Sequence, residues 1–112
     1  MPTVNRSALV MHSAEQMFNL INDVLAYPQF LPDCSDSKIL EQNDASMKAS
    51  LLVSKAGINK WFTTENTLVK NKQVQLNLVD GPFSKLIGSW NLIELSEDAC
   101  KVTLDLDYEF SN

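Results

Sequence analysis

Alternation of apolar and polar positions dominates this chain. Near its end Val102, Leu104, Leu106, Tyr108 and Phe110 fall on one face, with Thr103, Asp105, Asp107 and Glu109 on the other. A half-buried strand requires that period of two. Met47, Ala49, Leu51 and Val53 likewise oppose Lys48, Ser50 and Ser54, and Val74, Leu76 and Leu78 oppose Gln73, Gln75 and Asn77. The pattern predicts six strands, over about 34–42, 46–55, 58–69, 73–80, 84–95 and 99–110. Their connections carry turn chemistry: Asn43-Asp44, Ala56-Gly57, Asn71-Lys72, Gly81-Pro82 and Glu97-Asp98. Short turns between consecutive strands make an antiparallel meander. A further strand is expected over Thr3 to Met11.

One segment switches to helical spacing. Ser13 reads as a helix cap, with Gln16 three residues on as a capping box requires. Ala14, Met17, Phe18, Ile21, Val24 and Leu25 follow as a single apolar stripe. The helix is expected to end by Ala26 or Tyr27, because Pro28 disfavours helical geometry in the residue before it. Phe30, Leu31 and Pro32 suggest a second short turn of helix. The sum is one α+β domain over 1–112, with two short helices on one side of a curved antiparallel sheet of about seven strands. One short helix is poorly sized to cover the apolar face of the last strand. A further helix, a ligand or a partner is expected there, and self-association through an uncovered sheet face is one outcome.

Composition narrows the function classes. The chain has 112 residues, 45% hydrophobic and 21% charged, as an ordinary globular domain does. A net charge of −5 argues against DNA and other charge-driven nucleic-acid binding. No apolar run approaches the roughly 20 residues that cross a bilayer, so membrane insertion is not expected. Met1 to Arg6 holds no apolar run of the secretory kind. Cys34 and Cys100 read as thiols rather than a disulfide framework. A cytoplasmic location is the expectation.

Candidate chemistry is sparse. His12, the lone histidine, stands at the strand-to-helix junction and reads as a cap-adjacent surface residue. With only Cys34 and Cys100 beside it, no metal-ligand spacing exists. Gly57, Gly81 and Gly88 form no phosphate loop. Gly88, inside a strand, marks a bulge, a bend or a close backbone approach. Asp105, Asp107 and Glu109 read as a solvated face, and Lys55 and Lys60 as a soluble hairpin turn or a phosphate-backbone contact. No catalytic residue is expected. The large side chains Trp61, Phe62, Phe83, Trp90, Tyr108 and Phe110 fit either a packed core or the wall of an elongated apolar cavity. By the periodicities, Phe18, Ile21, Phe30, Phe62, Leu76, Trp90, Leu104, Leu106 and Tyr108 are expected to face the space between helices and sheet.

Five segments carry a family resemblance. Ser13-Ala14-Glu15-Gln16-Met17-Phe18, Asn22-Asp23-Val24, Tyr27-Pro28-Gln29-Phe30-Leu31-Pro32, Ser54-Lys55-Ala56-Gly57 and Val79-Asp80-Gly81-Pro82-Phe83 through Trp90 resemble the bacterial ribosome-association toxin (RatA) family. That family stands with the mitochondrial coenzyme-Q-binding proteins in the START-like, polyketide-cyclase-related superfamily. The resemblance implies a helix-grip (START-like, Bet v 1-like) fold, in which the sheet wraps a long C-terminal helix that lies beyond the position of Asn112. It implies a non-enzymatic protein with no required cofactor, holding ubiquinone or a similar isoprenoid lipid in an apolar tunnel and so supporting respiration. For the bacterial branch it implies binding to the large (50S) ribosomal subunit that blocks subunit joining, with Lys55 and Lys60 as candidate contacts. A polyketide cyclase-like acid–base enzyme is the weaker alternative.

Overall fold

The computed structural model describes residues 3–55 and 57–110, apart from the side chains of Lys55, Ile58 and Phe110. Strand β1 (Thr3–Val10) leads into helix α1 (Ala14–Asn22), a single 3₁₀ turn (Val24–Ala26) and helix α2 (Tyr27–Phe30). Six strands follow: β2 (Cys34–Gln42), β3 (Ser46–Lys55), β4 (Ile58–Val69), β5 (Gln73–Asp80), β6 (Phe83–Ser96) and β7 (Ala99–Phe110). They form one antiparallel sheet in the order β1-β7-β6-β5-β4-β3-β2. The meander is therefore continuous, and β1 closes it by pairing with β7, Thr3 opposite Asp107 through Val10 opposite Cys100. Register shifts in β2, β4 and β6 bend the strands, as bulges do, and the sheet curves around the helices.

The capping box forms as the sequence predicts. The Gln16 amide donates to Ser13 Oγ at 3.1 Å, and the Ser13 amide donates to Gln16 Oε1 at 2.9 Å. The helix that follows is shorter than expected. It stops at Asn22, whose Nδ2 turns back to the Phe18 carbonyl at 3.0 Å, and Asp23 leaves helical geometry at φ −83°, ψ 65°. Asn and Asp side chains compete with the helix backbone in this way. Val24 stays buried while Leu25 is 59% exposed, so the apolar stripe ends between them. Pro28 corrects a second expectation: Tyr27 before it is helical, at φ −53°, ψ −42°. Pro28 sits in the first turn of α2, where no partner for its missing N–H is needed. The extended residue is instead Leu31, before Pro32.

Two apolar clusters seat the helices on the concave face. Ala14 and Ile21 pack with Val74, Leu92, Cys100 and Val102, and Val24 packs with Met47 and Ala49. Tyr27 Oη donates to the Ile21 carbonyl, tying the α2 elbow to the end of α1. The convex face is less uniformly solvated than the alternation suggests. Ser50 is only 2% exposed, and its hydroxyl is satisfied by pairing with that of Thr63 at 2.6 Å. Its cross-strand neighbour Lys38 holds its ammonium 4.6 Å from the Trp61 ring centroid.

Gly88 resolves its three alternatives as a close approach. A Cβ there would lie 2.3 Å from the Asp105 carbonyl oxygen and 2.8 Å from Leu106 Cδ1.

Candidate functional site: an apolar cavity on the concave face

Cross-strand register fixes which side chains share the concave face. One row runs Met47, Asn66, Leu76, Gly88, Leu106 across β3 to β7, and the next runs Leu68, Val74, Trp90, Leu104. Helix α1 and the elbow cover part of these rows and leave a cavity of about 530 Å³. Such a volume lies within the roughly 300–1,000 Å³ of small-molecule sites.

Most of the expected wall residues are there. Ile21, Phe30, Phe62, Leu76, Trp90, Leu104, Leu106 and Tyr108 all line the cavity. Phe18 does not. It lies about 100° around α1 from Met17, and it packs on the closed cluster of Val74, Leu92 and Val102 instead. Phe30 and Leu20 line the cavity yet are 51% and 48% exposed, which places them at its mouth. At the far side an aromatic chain builds the wall. Phe62 meets Phe83 edge-to-face at 5.6 Å between centroids, and Phe83 meets Tyr108 at 6.3 Å.

Charge is absent from the lining. The polar side-chain groups of the lining residues are the two tyrosine hydroxyls, the Trp90 indole N–H and a pair that the sequence reading missed, Thr64 and Asn66. Asn66 is 7% exposed, and Thr64 Oγ1 donates to its Oδ1 at 2.9 Å. Tyr27 is held as a neutral phenol. Burial, then the nearby Asp23 carboxylate, pushes its pKa up to about 12. Burial also raises the thiols of Cys34 and Cys100.

The remaining candidates lie away from the cavity. His12 is exposed in the turn between β1 and α1. Asp105 and Glu109 are exposed on the convex face, where Asn5 Nδ2 donates to Asp105. Trp61 is also convex, paired with Leu52, and 40% exposed. Lys60 is exposed opposite Val53 near the β3–β4 turn, and the Lys55 side chain lies outside the described residues. Among the described residues no group of three His, Cys, Asp or Glu stands close enough to hold a metal ion. No helix there is long and apolar enough to cross a membrane.

The curved sheet with its two short helices is a fold shared with known proteins. The family model described as "Polyketide cyclase / dehydrase and lipid transport" matches residues 10–112. The chain belongs to this family. Within it, the chain is 55% identical over 112 residues to the ribosome association toxin RatA of Escherichia coli K12, covering 100% of this chain and 71% of that protein. The RatA of Vibrio cholerae (classical Ogawa 395) is 57% identical over the same length, with 78% of it covered. A more distant relative is the mitochondrial coenzyme Q-binding protein COQ10 of Drosophila melanogaster, 26% identical over 111 residues, 96% of this chain and 46% of that one. Among solved structures, the Zhui aromatase/cyclase of Streptomyces sp. R1128 superposes with a TM-score of 0.87 at 20% identity, covering 99% of this chain and 69% of that one. A structure named as an aromatase/cyclase thus shares this fold, which is START-like and helix-grip in type.

Proposed function

We propose that this protein binds an apolar isoprenoid ligand, with ubiquinone the best fit, between the helices and the concave face. The observation that carries the reading is the 530 Å³ cavity without a charged residue in its lining. An uncharged, largely apolar wall favours a ligand that leaves water for hydrophobic reasons. The COQ10 relative, named for coenzyme Q binding, supports the quinone in particular. Binding rather than catalysis fits the lining, since Tyr27, with its phenol pushed up to about 12, is poorly matched to proton exchange near neutral pH. The cytoplasm is the proposed location, and no resident cofactor is required.

A short-chain ubiquinone titrated into the protein tests the reading. Quinones quench indole fluorescence, so a Trp61→Phe background isolates Trp90 on the cavity wall. Saturable quenching that disappears in Phe62→Ala or Leu104→Ala variants is the expected result. Quenching that neither saturates nor responds to those variants would overturn it.

A second reading rests on the 55% identity to a protein named ribosome association toxin. In that reading the partner is the large ribosomal subunit, with the exposed Lys60 among its contacts. Co-sedimentation with 50S particles, weakened by Lys60→Glu, is the expected outcome. Protein that stays in the supernatant at micromolar 50S would count against it.

A further inference from the structure

Asn66 is polar where everything around it argues for an apolar residue. On the concave face it stands between Met47, 1% exposed, and Leu76, and Leu68 follows it on the same strand face. Among the described residues its hydrogen bond is the one received from Thr64, which occupies Oδ1. The amide nitrogen keeps two N–H groups without a protein acceptor among the described residues; the residue is only 7% exposed, yet this nitrogen is not one of the enclosed unpaired atoms, which are Asn22 Oδ1 and Asn71 Oδ1. Asn66 lines the cavity. The cavity therefore reaches this donor, and an acceptor on a bound ligand can sit against it.

We infer that Asn66, oriented by Thr64, is a polar anchor for a hydrogen-bond-accepting oxygen, of the ring-carbonyl or ketone type, on an otherwise apolar ligand. This rests on the apolar-ligand reading and adds to it where the ligand's oxygen lies. The Thr64 hydroxyl spends its proton on Oδ1, which fixes the amide plane and turns Nδ2 toward the acceptor. A ligand carbonyl would be drawn to the middle of the sheet rather than to the mouth at Phe30, and the apolar remainder would point outward. Thr64 is a positioning residue and Asn66 the contacting one.

The test uses two flat ring systems of nearly equal shape, 9-fluorenone and fluorene, which differ in a carbonyl against a methylene. Their affinities are measured by displacement of an apolar fluorescent dye from the wild-type protein and from Asn66→Leu. The ratio of ketone to hydrocarbon affinity is expected to fall about tenfold in the variant, or roughly 1.4 kcal/mol, with fluorene binding retained. The carbonyl infrared band of bound fluorenone supplies a readout that loss of packing does not move. It is expected at lower frequency in the wild-type protein and at its apolar-solvent position in Asn66→Leu. Asn66→Ala, which removes rather than adds bulk, gives the same comparison if leucine disturbs the fold. An unchanged affinity ratio and an unshifted band would overturn the anchor while leaving the apolar-ligand reading standing. Failure of both compounds to bind the wild-type protein would overturn the two together.

Discussion

Two neighbours on β5 separate the cavity from the core by their stability costs. Val74 and Leu76 share the concave face two residues apart. Val74 is 1% exposed in the closed cluster, whereas Leu76 forms part of the cavity wall. Val74→Ala deletes two buried methyl groups, worth about 1.6 kcal/mol at roughly 0.8 each. A new void then adds up to about 1 kcal/mol at roughly 24 cal/mol per Å³. The expected loss is about 1.6–2.6 kcal/mol. Leu76→Ala removes more carbon, but one side of that chain already faces open space. Little new void forms, and only part of the transfer energy is lost, leaving about 1–1.5 kcal/mol. The smaller deletion should therefore be the more damaging. Urea unfolding of both variants at one temperature, read as midpoint at a constant slope, measures the order directly. A Leu76→Ala loss equal to or above that of Val74→Ala would show that Leu76 is packed as tightly as the core, and that the cavity closes in solution.

Three further outcomes are expected. Because the Tyr27 phenol titrates at about 12 when folded and near 10 when unfolded, the unfolded chain gives up that proton first. The contribution is fully present below pH about 10 and is lost between about 10 and 12. In a Tyr108→Phe background, the ultraviolet phenolate signal of Tyr27 should rise well above the pH of a free tyrosine, and a normal titration would refute its burial. Gly88→Ala forces a methyl group against the β7 backbone and should cost about 1–3 kcal/mol in a urea melt; a neutral substitution would contradict the close approach. Ser13→Ala removes the α1 cap for about 1 kcal/mol, and Ser13→Asp should recover most of it, as thermal denaturation would report.

The strands were legible because period-two alternation and turn residues agreed at nearly every boundary. Thus 34–42, 46–55, 58–69 and 73–80 match the strands residue for residue. The end of α1 was not, since Val24 and Leu25 continue its spacing and only the geometry of Asp23 breaks it. The cavity wall was readable wherever a strand alternates. It failed on β4, where Thr63, Thr64, Glu65, Asn66 and Thr67 are polar on both faces and a register shift falls between Thr63 and Thr64. No alternation remained there to say which polar side chains turn inward. Phe18 was assigned to the cavity because the stripe fixes a helix face to within about one residue, and the cavity and the core divide that face between them.

The sheet order carries a kinetic consequence. Every pairing from β2 to β7 joins strands adjacent along the chain, but β1 reaches β7 across about a hundred residues, Asn5 lying opposite Asp105. Local hairpins close cheaply, while the long loop must be closed before the β1 pairing gains anything. Strand β1 is also an edge, with Leu9 73% exposed and Val10 alone packed against the main cluster. It should be the last strand to dock during folding. Its amide hydrogens should also be the first in the sheet to exchange with solvent, through openings that leave the meander intact.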